Sequence, residues 1–423
     1  MSIVHTNTLI IGAGQAGLAA SEHLSNNNVP HIIAEKDRIA ESWRTRRWDS
    51  LVANGPAWHD RFPTREFTGI DPDSFATKDQ IVDYFSSFAE QISAPVRTGT
   101  EIFSVSPVDD GRAFRAESSD GAFVARNIVV ATGAFQKPAI PPLVPSLPGL
   151  VQIHSESYRN PAQLPEGAVL VVGAGSSGVQ IADELARAGR RTFLSVGPHN
   201  RPPRRYRGRD FVWWLGALGQ WDATTCEPNM EHVTIAVSGA RGGHTVDFRS
   251  LAASGITLLG TLESFGGDSL RFAPDLERNI AQGDADYLSL LDAADAYIAR
   301  EGLDLPEEPD ARKIARYPLC VTIPIRELGL RDVEITAIVW ATGYSSDFGW
   351  LKLDAFDSHG QPRHRRGVSV VPGLYFLGLP WLSRRASPFI WGTWHDAQYV
   401  AAHIAGRDAD AAPAEGRRVR VDE

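Results

Sequence analysis

With 423 residues, the chain is too long for one hydrophobic core and is expected to form two or three domains. Its composition, 43% hydrophobic and 22% charged, is that of a globular protein and excludes a disordered or fibrous one. A formal net charge of −9 speaks against nucleic acid as a partner, because phosphate binding needs a basic face.

Cys226 and Cys320 are the only cysteines. Two thiols make neither a disulfide framework nor a four-thiolate metal site, and without C-x-x-C there is no dithiol relay. No metal is expected. No basic segment leads into a long apolar run, and no stretch reaches the roughly 18 apolar residues of a membrane span. A cytoplasmic protein without a membrane partner is the expectation.

Along the chain, the first strong signal is Thr8-Leu9-Ile10-Ile11-Gly12-Ala13-Gly14-Gln15-Ala16-Gly17. A β-branched run closes on G-x-G-x-x-G, and Leu18–Leu24 then reads as a helix. His31–Ala34 reads as the next strand, with Glu35 and Lys36 at its end. This is the βαβ unit that binds dinucleotides. Gly12 permits a tight turn, Gly14 lets the backbone approach a pyrophosphate, and Gly17 lets helix and strand pack closely. The helix N-terminus offers N–H groups and a positive dipole end to the anion, and Gln15, within the turn, is a further candidate for holding the cofactor. Glu35 lies about twenty residues on, where a carboxylate accepts from ribose hydroxyls.

Asp79–Gln91 has helical spacing, and Thr100–Val130 reads as short strands joined by turns. Ile128–Ala131 is an apolar strand ending in Thr132-Gly133. Pro138, Pro141, Pro142, Pro145 and Pro148 read as a stiff linker between domains.

A second βαβ unit starts near Ala168. Its strand runs Val169-Leu170-Val171-Val172 into Gly173-Ala174-Gly175-Ser176-Ser177-Gly178, followed by a helix Val179–Ala188 and a strand Thr192–Val196. That second strand ends at Ser195, not at an acid, and Arg201, Arg204 and Arg205 follow. A ribose 2′-phosphate repels a carboxylate and accepts from hydroxyl and guanidinium groups, so this site suits NADP(H) better than NAD(H). The missing acid carries that inference; a solvated loop would hold arginines equally well.

From Gly208 to Glu308 the signals weaken. Helical patterns stand near Asp210–Leu218 and Asp284–Ala299, and Trp213, Trp214 and Trp221 suggest packing. Val333–Thr342 reads as a strand ending in Ala341-Thr342-Gly343, a second copy of Ala131-Thr132-Gly133. Both tripeptides are expected where the chain crosses between domains. Leu374–Gly378 reads as a buried strand, Pro388–Ile404 as a terminal helix, and Ala411–Glu423 as a frayed tail. Two dinucleotide turns on one chain suggest two dinucleotides held together with electrons passing between them. P-loop, H-E-x-x-H and G-x-S-x-G patterns are absent, so NTPase and hydrolase readings have no support.

On these motifs the chain resembles the class B flavin-containing monooxygenases, in particular the bacterial group related to plant YUCCA enzymes. The likeness covers nearly the whole chain. The family fingerprint F-x-G-x-x-x-H-x-x-x-Y corresponds to Leu147 through Tyr158, with Gly149 and His154 at its marked positions. Leu147 replaces Phe, and one extra residue separates Gly149 from His154. His154 has a structural reading, domain coupling, and is not taken as a proton donor. Asn54-Gly55-Pro56 is similar to the family segment whose asparagine faces the flavin; apart from the resemblance it is an ordinary Asn-Gly turn. Ser42-Trp43-Arg44 is similar to the stretch whose Trp packs on FAD. Trp381, Trp391 and Trp394 are candidate walls of a flavin or substrate pocket.

The resemblance implies an α/β fold of two Rossmann-like dinucleotide-binding domains, the NADP domain inserted into the FAD domain. FAD would be held by 1–160 and 331–410 and NADP(H) by 161–330, with 411–423 as a flexible tail. It implies a small-molecule substrate and O2 as partners. NADPH would reduce FAD, reduced flavin would form a C4a-hydroperoxide with O2, and NADP+ with Asn54 would shield it from water. One oxygen atom would pass to a small soft nucleophile: N, S or an electron-rich ring such as indole. The flavin carries the hard chemistry, so few protein acids and bases are required. Tyr158 stands where Baeyer–Villiger enzymes usually carry Trp, which favours N/S oxygenation. Baeyer–Villiger oxygenation, an NADPH oxidase or reductase, and a flavin-bound redox sensor stay open, and a homodimer is compatible with the sequence.

Overall fold

The computed structural model describes residues 2–224 and 234–411. Cys226, and the expected tail beyond its first residue, lie outside the described residues. The chain divides into two compact units: residues 1–40, 85–133 and 347–423, and residues 41–84 and 134–346.

Among the described residues, the first unit is built on a nine-stranded sheet. At its centre Ile3–Ile11 runs parallel to Gly121–Val130 on one side and to His31–Ala34 on the other. Leu374–Phe376 adds to the far edge of Gly121–Val130, also in parallel. Central residues Leu9, Ile10, Ile128 and Val129 have no exposed surface, which explains why their strands read as unbroken apolar runs. Ile102–Val108 and Ala113–Ser118 form an antiparallel hairpin that joins the sheet through Gly121–Val130. Helix Gln15–Asn26 follows the first strand, and helix Ile390–Ala411 closes the unit. The Trp394 indole N–H donates to Glu22 at 2.6 Å, and its ring meets His23 edge-on at 4.3 Å. Trp394, expected as a pocket wall, thus ties the last helix to the first.

The second unit holds a five-stranded parallel sheet in the order Thr257–Leu259, Thr192–Ser195, Ala168–Val172, Ile335–Trp340, Val151–His154. Helix Ser176–Arg187 buries Val179, Ile181 and Leu185 in the core of this unit. The division differs from the expected 1–160, 161–330 and 331–410: residues 41–84, 134–160 and 331–346 all belong to the second unit. Ile335–Trp340 and Val151–His154, expected in the flavin part, pair with each other and, through Ile335–Trp340, with Ala168–Val172. Parallel partners are distant in sequence, so local pattern does not reveal them.

The proline-rich stretch is not a free linker. Lys137–Pro138 pairs with Tyr344–Ser345, and Val144 is buried with Leu143, Leu147 and Leu150 packed against the sheet's apolar cluster. The weakly patterned region contains helices Phe211–Ala217 and Leu276–Glu301, the latter longer than expected at both ends. It also supplies Leu262–Gly266 and Ser269–Phe272 to a small antiparallel sheet. Trp214 is fully buried beside Tyr206, Tyr287 and Leu291, and Trp221 is bonded through its indole N–H to Val212 O, so both are packing residues. Among the described residues no helix is long and apolar enough to cross a membrane.

Candidate functional site

In the first unit the glycine turn has the shape its residues predict. Gly12 adopts φ +108°, and a Cβ there would lie 2.7 Å from the Ala131 carbonyl oxygen. The Ala131 N–H donates to Ile11 O at 2.9 Å, so Ala131-Thr132-Gly133 lies along the turn. A Cβ on Gly17 would sit 1.8 Å from Gly12 O, which forces the close helix–strand packing. Gly14 faces open space and caps helix Gln15–Asn26, with no side-chain cap and no acid in the first turn. That bare N-terminus fits an anion. Glu35 is held by two backbone N–H groups, Ala13 to Oε2 at 2.7 Å and Asp37 to Oε1 at 2.9 Å. Each oxygen keeps a lone pair for a ribose hydroxyl. Gln15 donates to Pro388 O at 2.7 Å, and Lys36 is exposed.

The second unit repeats the arrangement. Gly173 adopts φ +117°, and a Cβ would lie 2.4 Å from Ala341 O. Ala341 donates its N–H to Val172 O at 2.8 Å. A Cβ on Gly178 would meet Gly173 O at 1.8 Å. Gly175 caps helix Ser176–Arg187, again without a side-chain cap or first-turn acid. Ser176 Oγ donates to Ile235 O at 2.8 Å, and Ser177 is half-buried. In both units the Ala-Thr-Gly tripeptide therefore backs the first glycine. The first unit also ends a segment at Gly133, and the second ends at 346, just after Gly343.

Three residues expected at the second dinucleotide face inward instead. Ser195 is buried; its Oγ donates to Gly260 O at 2.9 Å and accepts from Leu262 N at 3.1 Å. Arg201 is buried on Asp284, which it shares with Arg249. Burial pushes the Asp284 carboxyl up, but hydrogen bonds from Arg249 and Arg201 outweigh it and hold the group below the usual carboxylate range. Arg204 is buried on Asp210, with Nε to Oδ2 at 3.0 Å. Desolvation of a guanidinium is tolerable only beside a carboxylate, and these pairings occupy the guanidiniums expected at a phosphate. Arg205 alone of the three arginines is exposed.

The fingerprint residues are structural. His154 is buried; Glu156 N–H donates to its Nδ1 at 3.1 Å, so Nε2 carries the proton and donates to Gly343 O at 2.9 Å. Burial lowers its pKa, and both ring nitrogens are occupied. His154 thereby ties the fingerprint strand to the second Ala-Thr-Gly. Gly149 takes φ +80° in an exposed turn. Tyr158 is fully buried and donates to Glu184 Oε2 at 2.7 Å, while Ser50 donates to Oε1 at 2.6 Å. Trp43 is half-buried against the core of the second unit, with the Arg47 guanidinium over its ring at 5.5 Å.

The Asn54 turn is held from several sides, all within the second unit. The Gly55 N–H donates to Asp60 Oδ2 at 2.9 Å, and a Cβ on Gly55 would strike that carboxylate at 2.4 Å. A Cβ on Gly239 would sit 2.1 Å from Ala53 O, so residue 239 must be glycine for the backbones to meet. Arg204 Nη1 donates to Asn54 O at 2.6 Å, and Gln180 Nε2 donates to Asn54 Oδ1 at 2.9 Å. Gln180 and Arg204 were not legible as partners of Asn54, since they stand 126 and 150 positions away.

Residues 9–206 match the family described as pyridine nucleotide-disulphide oxidoreductase. An oxidoreductase of Geobacillus kaustophilus named CzcO-like is 35% identical, covering 94% of this chain and 98% of that one. The indole-3-pyruvate monooxygenase YUCCA1 of Oryza sativa is 31% identical, covering 94% of this chain and 90% of that one. In fold, the flavin-containing monooxygenase of Stenotrophomonas maltophilia superposes with a TM-score of 0.65 at 18% identity, over 96% of this chain and 99% of that one. The paired glycine turns, each backed by Ala-Thr-Gly, thus stand in an α/β oxidoreductase that belongs to the class B flavin monooxygenase family.

Proposed function

We propose that this protein is an FAD- and NADPH-dependent monooxygenase that passes one atom of O2 to a small soft nucleophile: nitrogen, sulfur or an electron-rich ring such as indole. The repetition of a bare glycine turn backed by Ala-Thr-Gly carries this reading, because two dinucleotides on one chain suit hydride transfer between them. The rice relative, named an indole-3-pyruvate monooxygenase, supports it.

FAD belongs at the turn of Gly12, Gly14 and Gly17, with Glu35 toward its ribose. NADP(H) belongs at the turn of Gly173, Gly175 and Gly178, with Ser176 and Ser177 at the helix start. FAD held at the first turn would supply the acceptor for the NADPH hydride and the activation of O2. The chain's own residues bind, orient and exclude water. Asn54 contributes a fixed amide, Trp43 contributes apolar surface, and Arg205 is the guanidinium left for the 2′-phosphate. His154, with both nitrogens engaged, moves no proton.

Purified protein reconstituted with FAD should oxidise NADPH faster than NADH and take up O2 as it does so. Holoprotein that binds both cofactors without consuming NADPH would instead make this a redox sensor.

A further inference from the structure

We propose that Gln180 fixes which end of the Asn54 amide is presented, so that Asn54 acts toward bound NADP(H) as a hydrogen-bond donor through Nδ2. The inference rests on the reading of Asn54 given above and adds the direction of its hydrogen bond.

The two ends of a side-chain amide have nearly the same shape, so their assignment follows from their partners. Val237 O is a main-chain carbonyl and can only accept. The Gln180 atom 2.8 Å from it is therefore the NH2 group, Nε2. The same nitrogen lies 2.9 Å from the Asn54 side chain, and its second hydrogen points there. The facing atom of Asn54 must accept, which makes it Oδ1. Nδ2 is then the outward end. Among the described residues no protein group takes it, and Asn54 is half-buried.

The main chain leaves Asn54 little other freedom. Arg204 holds its carbonyl, Asp60 holds the next N–H, and Arg204 is itself anchored on Asp210. The remaining motion is rotation of the amide by half a turn. That would set NH2 against NH2 and leave a nearly buried donor of Gln180 unmet.

Gln180 sits one turn into the helix that the second glycine turn opens. Ser176 and Gln180 lie on one face of it and both donate to the segment 235–237. The element offered to the pyrophosphate therefore also sets the Asn54 amide. A glutamate at 180 has similar size and opposite polarity. It would attract Nδ2 and turn Oδ1 outward.

The test compares Gln180→Glu, Gln180→Met and Asn54→Ala. Hydrogen exchange of the side-chain amides in 15N-labelled apoprotein reads the orientation directly, with the Asn54 signal identified by its loss in Asn54→Ala. In the wild type the Asn54 NH2 should exchange as an open amide and the Gln180 NH2 should be protected. In Gln180→Glu the Asn54 NH2 should become protected. On FAD-loaded protein, NADP+ affinity is read from the flavin absorbance change and uncoupling from H2O2 released per NADPH. Asn54→Ala and Gln180→Glu should each weaken NADP+ binding and raise uncoupling by about tenfold, one oriented hydrogen bond. Gln180→Met should shift both in the same direction by less.

An Asn54→Ala protein with unchanged NADP+ affinity and uncoupling would remove the reading of Asn54 itself. A Gln180→Glu protein with wild-type values, while Asn54→Ala is impaired, would overturn the role of Gln180 alone. If Gln180→Glu fails to fold, unaltered Asn54 exchange and NADP+ affinity in Gln180→Met overturns it equally.

Discussion

The Ala131 carbonyl stands where a side chain at position 12 would begin: a Cβ on Gly12 would come within 2.7 Å of its oxygen. Gly173 and Ala341 repeat this at 2.4 Å. Both glycines also have positive φ, a conformation that costs other residues about 1–2 kcal/mol. Gly12→Ala should therefore lose bound FAD on gel filtration. Gly173→Ala should keep FAD yet lose NADPH-dependent flavin reduction. Reversed losses would exchange the two cofactor assignments.

Gly14 separates sterics from binding. A Cβ there meets nothing within 4 Å, and its φ of −87° suits any residue. Gly14→Ala should melt like the wild type while binding FAD more weakly, since the methyl group keeps the pyrophosphate off the backbone. FAD affinity by flavin fluorescence and Tm on the apoprotein check the two halves.

Asp284 binds two buried guanidiniums, those of Arg201 and Arg249. Asp284→Asn leaves both charges without their carboxylate and should cost about 3–5 kcal/mol, measured by urea unfolding. Arg201→Met should lower stability by less, because Arg249 still satisfies Asp284. Neither change should alter the NADPH-to-NADH preference. A selective loss of NADPH in Arg201→Met would restore Arg201 to the phosphate site.

The buried histidines set a pH dependence. Burial lowers the pKa of His154 below the ordinary 6.5, and burial does the same to His23, His31, His199 and His364. The unfolded chain then takes protons first as pH falls. The neutral-histidine contribution is complete above 6.5 and is lost on going below it toward the folded pKa values. Tm should be flat from about pH 8 to 7 and fall below about 6.5. His154→Gln, which removes one titrating group, should fall less steeply.

What the sequence made legible was steric. Gly12, Gly17, Gly173 and Gly178 each meet a backbone carbonyl where no side chain fits, and such demands show in single letters at fixed spacing. Glu35 was legible because its distance from the turn is set by one βαβ unit. Arg201 and Arg204 misled because a guanidinium serves a phosphate and a buried carboxylate equally well. Their partners Asp284 and Asp210 are marked by nothing local. Ile335–Trp340 read correctly as a strand, but its place beside Ala168–Val172 is a matter of pairing across the chain. Asn54 was reached only through family likeness, and its setting by Gln180 became visible only with both side chains in place.

Transfer of one oxygen atom from O2 at the expense of NADPH is what separates a monooxygenase from an oxidase. The most direct test is turnover of the FAD-loaded protein under 18O2 with a sulfide, an amine and an indole as alternative substrates. A monooxygenase should place one 18O atom in the product of at least one of them, with no label from H218O. NADPH consumption that ends wholly in labelled hydrogen peroxide, with every substrate left unoxygenated, would contradict it and leave an oxidase.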